Sequence, residues 1–139
     1  RSRAVLRMHS VGELISDRPL MLDPDTRVAQ ARRAMADANT SQACLVDSQG
    51  FYKGTLQLHQ LIDAADGEPA RRWRDKKAMI MRDDETVWDA MHALREFVGE
   101  AVAVVNEDGR LVGIVYESDL ITAYLDLLEG MRREEHATG

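Results

Sequence analysis

The sequence predicts an α/β fold in which one structural unit occurs twice. Two apolar runs, Ala101–Val105 and Arg110–Tyr116, flank a turn at Asn106–Gly109 and are followed by an apolar-periodic helix. The same pattern occurs earlier in the chain at an offset of 59 residues, without a gap from Asp25 to Ala64. The matched pairs are Asp25 with Asp84, Val28 with Val87, Ala31 with Ala90, Ala34 with Ala93, Val46 with Val105, Gly50 with Gly109, Gly54 with Gly113, Leu61 with Leu120, Ile62 with Ile121 and Ala64 with Ala123. Self-similarity at a fixed offset indicates an internal duplication.

The first unit is expected over residues 10–65. Ser10 can cap a short helix, and after a break at Asp17–Pro19 the run Leu20–Leu22 predicts a short buried strand. The next helix carries its apolar face on Val28, Ala31, Met35 and Ala38. The unit is completed by a strand at Ala43–Val46, a turn at Asp47–Gly50, a strand at Phe51–Gln57 and a helix near Leu58–Ala65.

Residues 66–77 interrupt the apolar rhythm with Gly67, Pro69 and five basic residues, and we expect them to form the linker. The second unit is expected over residues 78–128. It repeats the short strand at Ala78–Met81 and continues with a helix from about Glu85 that frays near Val98–Gly99. The charged residues 129–139 predict a frayed C-terminal tail.

Composition limits the possible functions. A net charge of −6 makes a nucleic-acid partner unexpected, because that role usually requires a basic surface. Cys44, the one cysteine, falls in a predicted strand, which favours a buried, inert thiol and a reducing compartment. No apolar stretch approaches the roughly 20 residues of a membrane span. We therefore expect a cytoplasmic domain that meets a membrane only through an attached channel or transporter.

No arrangement of residues typical of catalysis or metal binding stands out. His9, His59, His92 and His136 lack metal-ligand spacing with cysteines or carboxylates, and no nucleophile and base occur in a signature setting. We expect no catalytic residues, no metal site and no required cofactor. The sequence therefore favours a binding or structural role over an enzyme.

Each unit resembles a CBS domain, a β-α-β-β-α unit, and the two together resemble a tandem CBS pair, or Bateman module. The resemblance rests on the duplication and on a closing motif that runs from Gly113 through Tyr116, Ser118 and Asp119 to Ile121. It implies two pseudo-symmetric units packed together, a regulatory role without chemistry of its own, and two clefts that can hold ATP, ADP or AMP.

The resemblance also implies site residues. Asp119 matches the family position that holds the ribose hydroxyls, and Tyr116 stands where the family has a hydroxyl residue near the phosphate. The matching first-unit residues are Gln60 and Gln57, so the cleft that depends on Gln60 is expected to be empty or specialised. The candidate nucleotide site is completed by Ser118 and by a wall of Thr40, Ser41, Gln42, Met79, Ile80 and Met81. The alternatives are that Asp119 only stabilises a helix N-terminus, that Thr40 and Ser41 only form a turn, and that Tyr116 only covers the end of the sheet.

The C-terminal stretch is similar to the ends of prokaryotic CLC-type chloride channels and transporters. It reads SDLITAYLDLLEGMRREEH, and the basic segment Arg1–Arg7 would then follow the last membrane helix. Three hypotheses follow: a sensor attached to such a channel or transporter, a stand-alone CBS-pair regulator, or a structural dimerisation module without ligand. A homodimer is expected, because the apolar faces of the Val28 and Val87 helices exceed what one small module can cover.

Overall fold

Two three-stranded sheets with their helices form the protein. The computed structural model describes residues 9–94 and 101–138. The strands are β1 (Leu20–Leu22), β2 (Gln42–Val46), β3 (Tyr52–Gln57), β4 (Ile80–Arg82), β5 (Ala101–Val105) and β6 (Leu111–Tyr116), and the helices are α1 (Val28–Asp37), α2 (Leu58–Leu61), α3 (Val87–Ala93) and α4 (Glu117–Thr138). Two 3-10 helices, at Val11–Leu14 and Ala70–Trp73, precede and follow the first sheet in the chain. The fraying expected at Val98–Gly99 lies outside the described residues.

Both sheets have the same topology. The strand orders are β1-β2-β3 and β4-β5-β6, the first pair of each sheet is parallel, and the second pair is antiparallel. The antiparallel registers shift at Leu45/Val46 and at Val104/Val105, which are matching positions of the repeat. The predicted α/β fold of two pseudo-symmetric units is therefore confirmed, including its irregularities.

Each unit has its own core. One contains Val28, Met35, Leu45, Leu56 and Leu61, and the other contains Val11, Met81, Val104, Val115 and Leu120. The prediction of a buried first strand is wrong at Met21, which is 46% exposed, as is Ile80 at 47% in the matching strand β4. Both residues lie on edge strands, and their neighbours in the strand supply the side chains that contact the core.

The first helix of each repeat packs on the opposite unit. The N–H of Val11 donates to the carbonyl of Glu85 at 2.8 Å, and the matching N–H of Ala70 donates to the carbonyl of Thr26 at 2.8 Å. Val11 and Ala70 are fully buried there. Residues 10–15, placed in the first unit by their position in the chain, therefore contribute to the second core. Part of the predicted linker likewise belongs to the first core.

The hairpin tips of the two units meet on the pseudo-twofold axis. The N–H of Tyr52 donates to the carbonyl of Gly109 at 3.1 Å, and the matching N–H of Leu111 donates to the carbonyl of Gly50 at 3.0 Å. Both glycines have φ near +90°, a conformation that glycine adopts without steric cost. The Arg110 guanidinium lies 4.5 Å from the centre of the Phe51 ring. These contacts fix the two sheets relative to each other.

Two expectations are corrected by the helices. Of the frayed tail expected over 129–139, residues 129–138 lie within helix α4, which continues to Thr138, and residue 139 lies outside the described residues. The helix persists because Leu127 is buried against Val87, and Tyr124 and Met131 pack on the same cluster. The apolar faces of α1 and α3 are also covered within one chain, since Val28 and Val87 are both fully buried. The reason given for a homodimer therefore does not hold.

Candidate functional site

Two clefts lie between the units, one on each side of the pseudo-twofold axis. The first has a volume of about 810 Å³ and the second about 690 Å³. The first is lined by Asp17, Arg18, Pro19, Leu20, Ala38, Asn39, Thr40, Ser41, Gln42, Gln57, Leu58, His59, Ile62, Ala101, Ile114 and Tyr116. The second is lined by Gln42, Thr55, Gln57, His59, Gln60, Asp75, Lys77, Ala78, Met79, Ala93, Leu94, Ala101, Val102 and Glu117.

The wall between the clefts is formed where the two sheets approach each other. Gln42 and Ala101 occupy matching positions at the starts of β2 and β5, and the Gln42 side-chain amide donates to the Ala101 carbonyl at 2.9 Å. Gln57, at the end of β3, is 5% exposed and lines both clefts. The two clefts therefore share a wall of fixed polar groups.

The sequence-predicted site residues do not form one site. Thr40, Ser41, Gln42 and Tyr116 line the first cleft, whereas Met79 lines the second. Asp119 and Ser118 are exposed in the first turn of α4, outside the linings of both clefts.

The remaining two predicted wall residues face elsewhere. Met81 is buried in the second core, and Ile80 lines a separate surface groove. Alternation along β4 explains this divergence, because successive residues of a strand point to opposite faces.

The first cleft combines a cation, hydroxyl groups and apolar surface. Arg18 and its sequence neighbour Asp17 both line this cleft, and the Arg18 guanidinium forms no salt bridge within the part of the chain that the structure describes. The Thr40 hydroxyl accepts the N–H of Gln42 at 3.3 Å, so the alternative of a turn role applies to Thr40. Ser41 is exposed, and its carbonyl accepts the N–H of Leu58 at 2.8 Å, which fixes the start of α2.

Sequence reasoning missed Arg18, Asn39 and His59 as residues of the first cleft. A signal was present, because β1 and β2 are parallel and the residues before each strand must lie at the same edge of the sheet. Applied to the segments at 17–19 and 39–41, this rule places Arg18 and Asn39 together. Lys77 occupies the position of the second repeat that matches Arg18, and it lines the second cleft.

The second cleft is more acidic. Its charged residues are Asp75, Lys77 and Glu117, and Glu117 is 5% exposed. The Oε1 atom of Gln60 is buried and accepts no hydrogen bond from the residues that the structure describes. An unpaired buried acceptor carries a desolvation cost of about 1–3 kcal/mol, which a donor from a ligand could offset.

Thr55, in the wall of the second cleft, connects two titratable groups below it. Its hydroxyl lies 2.6 Å from the Tyr52 hydroxyl, and it also hydrogen bonds to the Cys44 thiol. Burial raises the pKa of the Cys44 thiol to about 11, and the bond from Thr55 partly opposes that rise. Burial likewise raises the pKa of Tyr52. The thiol is therefore neutral at physiological pH, and the predicted buried position of Cys44 is confirmed.

Within 9–94 and 101–138, no three His, Cys, Asp or Glu side chains are grouped so that they could hold a metal ion. Over the same ranges, no helix is both long enough and apolar enough to cross a membrane.

Comparison with known proteins gives consistent results. The chain is 33% identical over 105 residues to the magnesium transporter MgtE of Thermus thermophilus, covering 75% of this chain and 22% of that protein. The cytosolic domain of the Mg²⁺ channel MgtE in complex with ATP superimposes with a TM-score of 0.70 at 27% identity, covering 88% of this chain and 51% of that chain. CBSX2 of Arabidopsis thaliana, in complex with AMP, gives 0.68 at 20% identity and covers 86% and 98% of the two chains.

A family profile described as the CBS domain matches residues 11–67 and again residues 75–126. These two matches cover most of the chain and coincide with the two repeats. The relatives above include transporters but no chloride channel. The chain belongs to the CBS domain family and is a tandem CBS pair, a regulatory module.

Proposed function

We propose that this CBS pair senses an adenosine nucleotide, which binds in the first cleft. The observation that carries the proposal is the Arg18 guanidinium, which has no salt-bridge partner within the described residues and lies at a cleft of about 810 Å³. That volume is within the range of small-ligand pockets, roughly 300–1,000 Å³. Similar structures are complexes with AMP and with ATP, which supports the ligand class.

The lining suggests a role for each end of the ligand. Arg18 would hold the phosphate, because a guanidinium forms paired, charge-assisted hydrogen bonds with phosphate oxygens. Asn39 and Ser41 would contact the sugar. The Tyr116 ring, which is 40% exposed, and Ile62 would cover the base. Tyr116, which stands where the family has a hydroxyl residue near the phosphate, would thus contact the base of a nucleotide in the first cleft.

The second cleft is the other candidate, and the unpaired Oε1 atom of Gln60 favours it. Lys77 would serve there as Arg18 does in the first cleft. Asp119 follows the lining residue Glu117 on α4, so its proposed ribose contact belongs to this cleft. The carboxylates of Asp75 and Glu117 would oppose a phosphate, which is why we place the nucleotide in the first cleft.

Calorimetric titration with AMP, ADP, ATP and adenosine tests the assignment. Arg18→Gln should weaken AMP binding about 10- to 150-fold, the loss typical of a hydrogen bond to a charged group, and leave adenosine binding unchanged. The matched variant Lys77→Gln and the variant Asp119→Ala should bind AMP like the parent chain. If Lys77→Gln and Asp119→Ala weaken binding and Arg18→Gln does not, the nucleotide binds in the second cleft.

We further propose that the module is the regulatory part of a larger ion channel or transporter. The chain spans 22% of the magnesium transporter it resembles, which fits a domain joined to membrane segments. This relative favours magnesium over the chloride suggested by the C-terminal stretch. Regulation requires that the nucleotide bind one arrangement of the module more tightly than another. Ion flux by the full-length protein in vesicles, with and without AMP, distinguishes this role from that of a stand-alone regulator.

The homodimer is retained as a proposal on a different observation. Leu125 on α4 is 52% exposed, and a second copy would cover it. Light scattering at tens of micromolar tests it, and a monomeric mass would contradict it. A stable dimer that binds no nucleotide would instead favour the structural dimerisation module.

A further inference from the structure

The basic residues of the connecting segment form an exposed surface that the nucleotide site does not use. Residues 71–77 contain five basic residues and one acid, although the whole chain has a net charge of −6. Arg71, Arg72, Arg74, Lys76 and Lys77 are all exposed. Positive charge is therefore concentrated in one short segment of an otherwise acidic protein.

Part of this segment lines a shallow groove. The groove has a volume of about 390 Å³ and is lined by Tyr52, Lys53, Gly54, Arg74, Asp75, Lys76, Ala78 and Ile80. Three cations thus surround a floor that includes Ile80, which is 47% exposed. Trp73, adjacent to Arg74 in the chain, is 37% exposed, and its indole N–H donates to the Glu68 carboxylate at 2.7 Å. We define Lys53, Arg74, Lys76 and Ile80 as the basic groove.

Nearby acids neutralise little of this charge. Asp75 is half-buried, and its carboxylate accepts the backbone N–H of Lys77 at 2.9 Å. Asp47 lies 3.9 Å from Lys53, a distance at the limit of a salt bridge. Arg74 and Lys76 form no salt bridge within the described residues. The groove therefore presents uncompensated positive charge to solvent.

We propose that the basic groove docks on an anionic membrane surface. Each basic residue near an anionic lipid surface contributes about 1 kcal/mol to binding, and the groove carries three, Lys53, Arg74 and Lys76. Exposed tryptophan and aliphatic side chains suit the boundary between headgroups and acyl chains. The combination of these cations with Ile80 and the neighbouring Trp73 matches a lipid surface better than it matches a purely acidic peptide. This inference does not depend on nucleotide binding, because none of the four groove residues lines the first cleft.

Co-sedimentation of the chain with lipid vesicles tests the proposal. The chain should bind vesicles in which about a third of the lipid is phosphatidylglycerol, and should not bind vesicles of phosphatidylcholine alone. Binding should weaken steeply as ionic strength rises, since charges are screened beyond about 10 Å at 0.1 M salt. The test variant is Lys53→Gln/Lys76→Gln. Arg74 is left unchanged because its side chain packs over Gly54.

The test variant should reduce partition about 30-fold, which is the loss of about 1 kcal/mol for each of two residues. The matched control is Arg33→Gln/Arg133→Gln, which removes the same charge from side chains 81% and 79% exposed on α1 and α4. Circular dichroism should show that both variants fold, and the control should bind like the parent chain.

Three results would overturn the proposal. The first is absence of binding to anionic vesicles at low salt. The second is an equal loss of binding in the control variant, which would show a general charge effect. The third is that the chain does not bind vesicles but binds a glutamate-rich peptide, and that Lys53→Gln/Lys76→Gln abolishes this binding. That result would assign the basic groove to an acidic protein partner.

Discussion

Replacement of Gly113 by alanine tests whether the N-terminal segment lies on the second unit. A Cβ atom at Gly113 would lie 2.5 Å from Cγ2 of Ile15 and 3.3 Å from the carbonyl oxygen of Asp17. Cγ2 is attached to the branched Cβ of Ile15, whose χ1 rotation is restricted, so relief of the contact requires a less favourable rotamer or a shift of the segment. Overpacking of this kind costs about 1–3 kcal/mol. We expect Gly113→Ala to lower the free energy of unfolding by that amount.

A double-mutant cycle makes the prediction specific. Ile15→Ala alone should cost about 1–2 kcal/mol, below the range for a fully buried isoleucine, because Ile15 is half-buried. In the presence of Ile15→Ala the clash disappears, so the double variant should be about 1–2 kcal/mol more stable than the two single effects added together. Urea denaturation measures each value, and an unchanged slope would show that the unfolded state is comparable.

Gly67→Ala is the matched control, since no heavy atom lies within 4 Å of a Cβ at that position. It should change stability by less than about 0.5 kcal/mol. Additive effects of Gly113→Ala and Ile15→Ala, to within about 0.3 kcal/mol, would refute the packing of residues 15–17 on β6. A Gly113→Ala variant that is as stable as the parent chain would also refute this packing.

Three further predictions concern the last helix and two titratable side chains. Gly130→Ala should stabilise the chain by about 0.5–1 kcal/mol, because a Cβ there has no described heavy atom within 4 Å and glycine is unfavourable in a helix. Thermal unfolding measures this gain in stability, and a loss of stability would argue against a helix at residue 130. Because the pKa of Cys44 is raised to about 11 in the folded chain, the unfolded thiol loses its proton first as pH rises from 9 to 11. The free energy of unfolding should therefore fall by up to about 3 kcal/mol over that range. Cys44→Ala should not show this loss of stability at high pH. Backbone hydrogen bonds, chiefly from Phe51, lower the pKa of Asp47, so its contribution is present above about pH 4 and is lost as pH falls through the folded-state pKa. Asp47→Asn should keep the turn, as the matching Asn106 does, and flatten the loss of stability in acid; an unchanged acid profile would contradict this.

The fold could be predicted because the duplication supplied the same information twice. Strand, turn and helix signals that are weak alone agreed at matching positions, and the pairing of Phe51 with Arg110 across the axis follows that offset. The exchange of the first helices could not be predicted. Val11 would be equally well buried against either unit, and the periodicity of a sequence does not indicate which core an apolar residue enters.

The site was predicted less well for a physical reason. The predicted wall joins Asp119 to Thr40–Gln42 of the first unit and to Met79–Met81 of the second, but the residues before β1 and β2 line the first cleft and those before β4 line the second. Parallel pairing within a sheet therefore decides which loops meet. The burial of Met81 and the exposure of Ile80 depend on which face of a three-residue strand meets the core, and so short a strand carries little alternation.

The measurement that tests the central claim most directly is the titration of Arg18→Gln and Lys77→Gln with AMP under identical conditions. These residues occupy matching positions of the two repeats and differ in which cleft they line. Our account predicts saturable binding that Arg18→Gln weakens about 10- to 150-fold and that Lys77→Gln leaves unchanged. Binding that neither variant alters, or no binding of AMP, ADP or ATP to the parent chain, would contradict a nucleotide site in the first cleft.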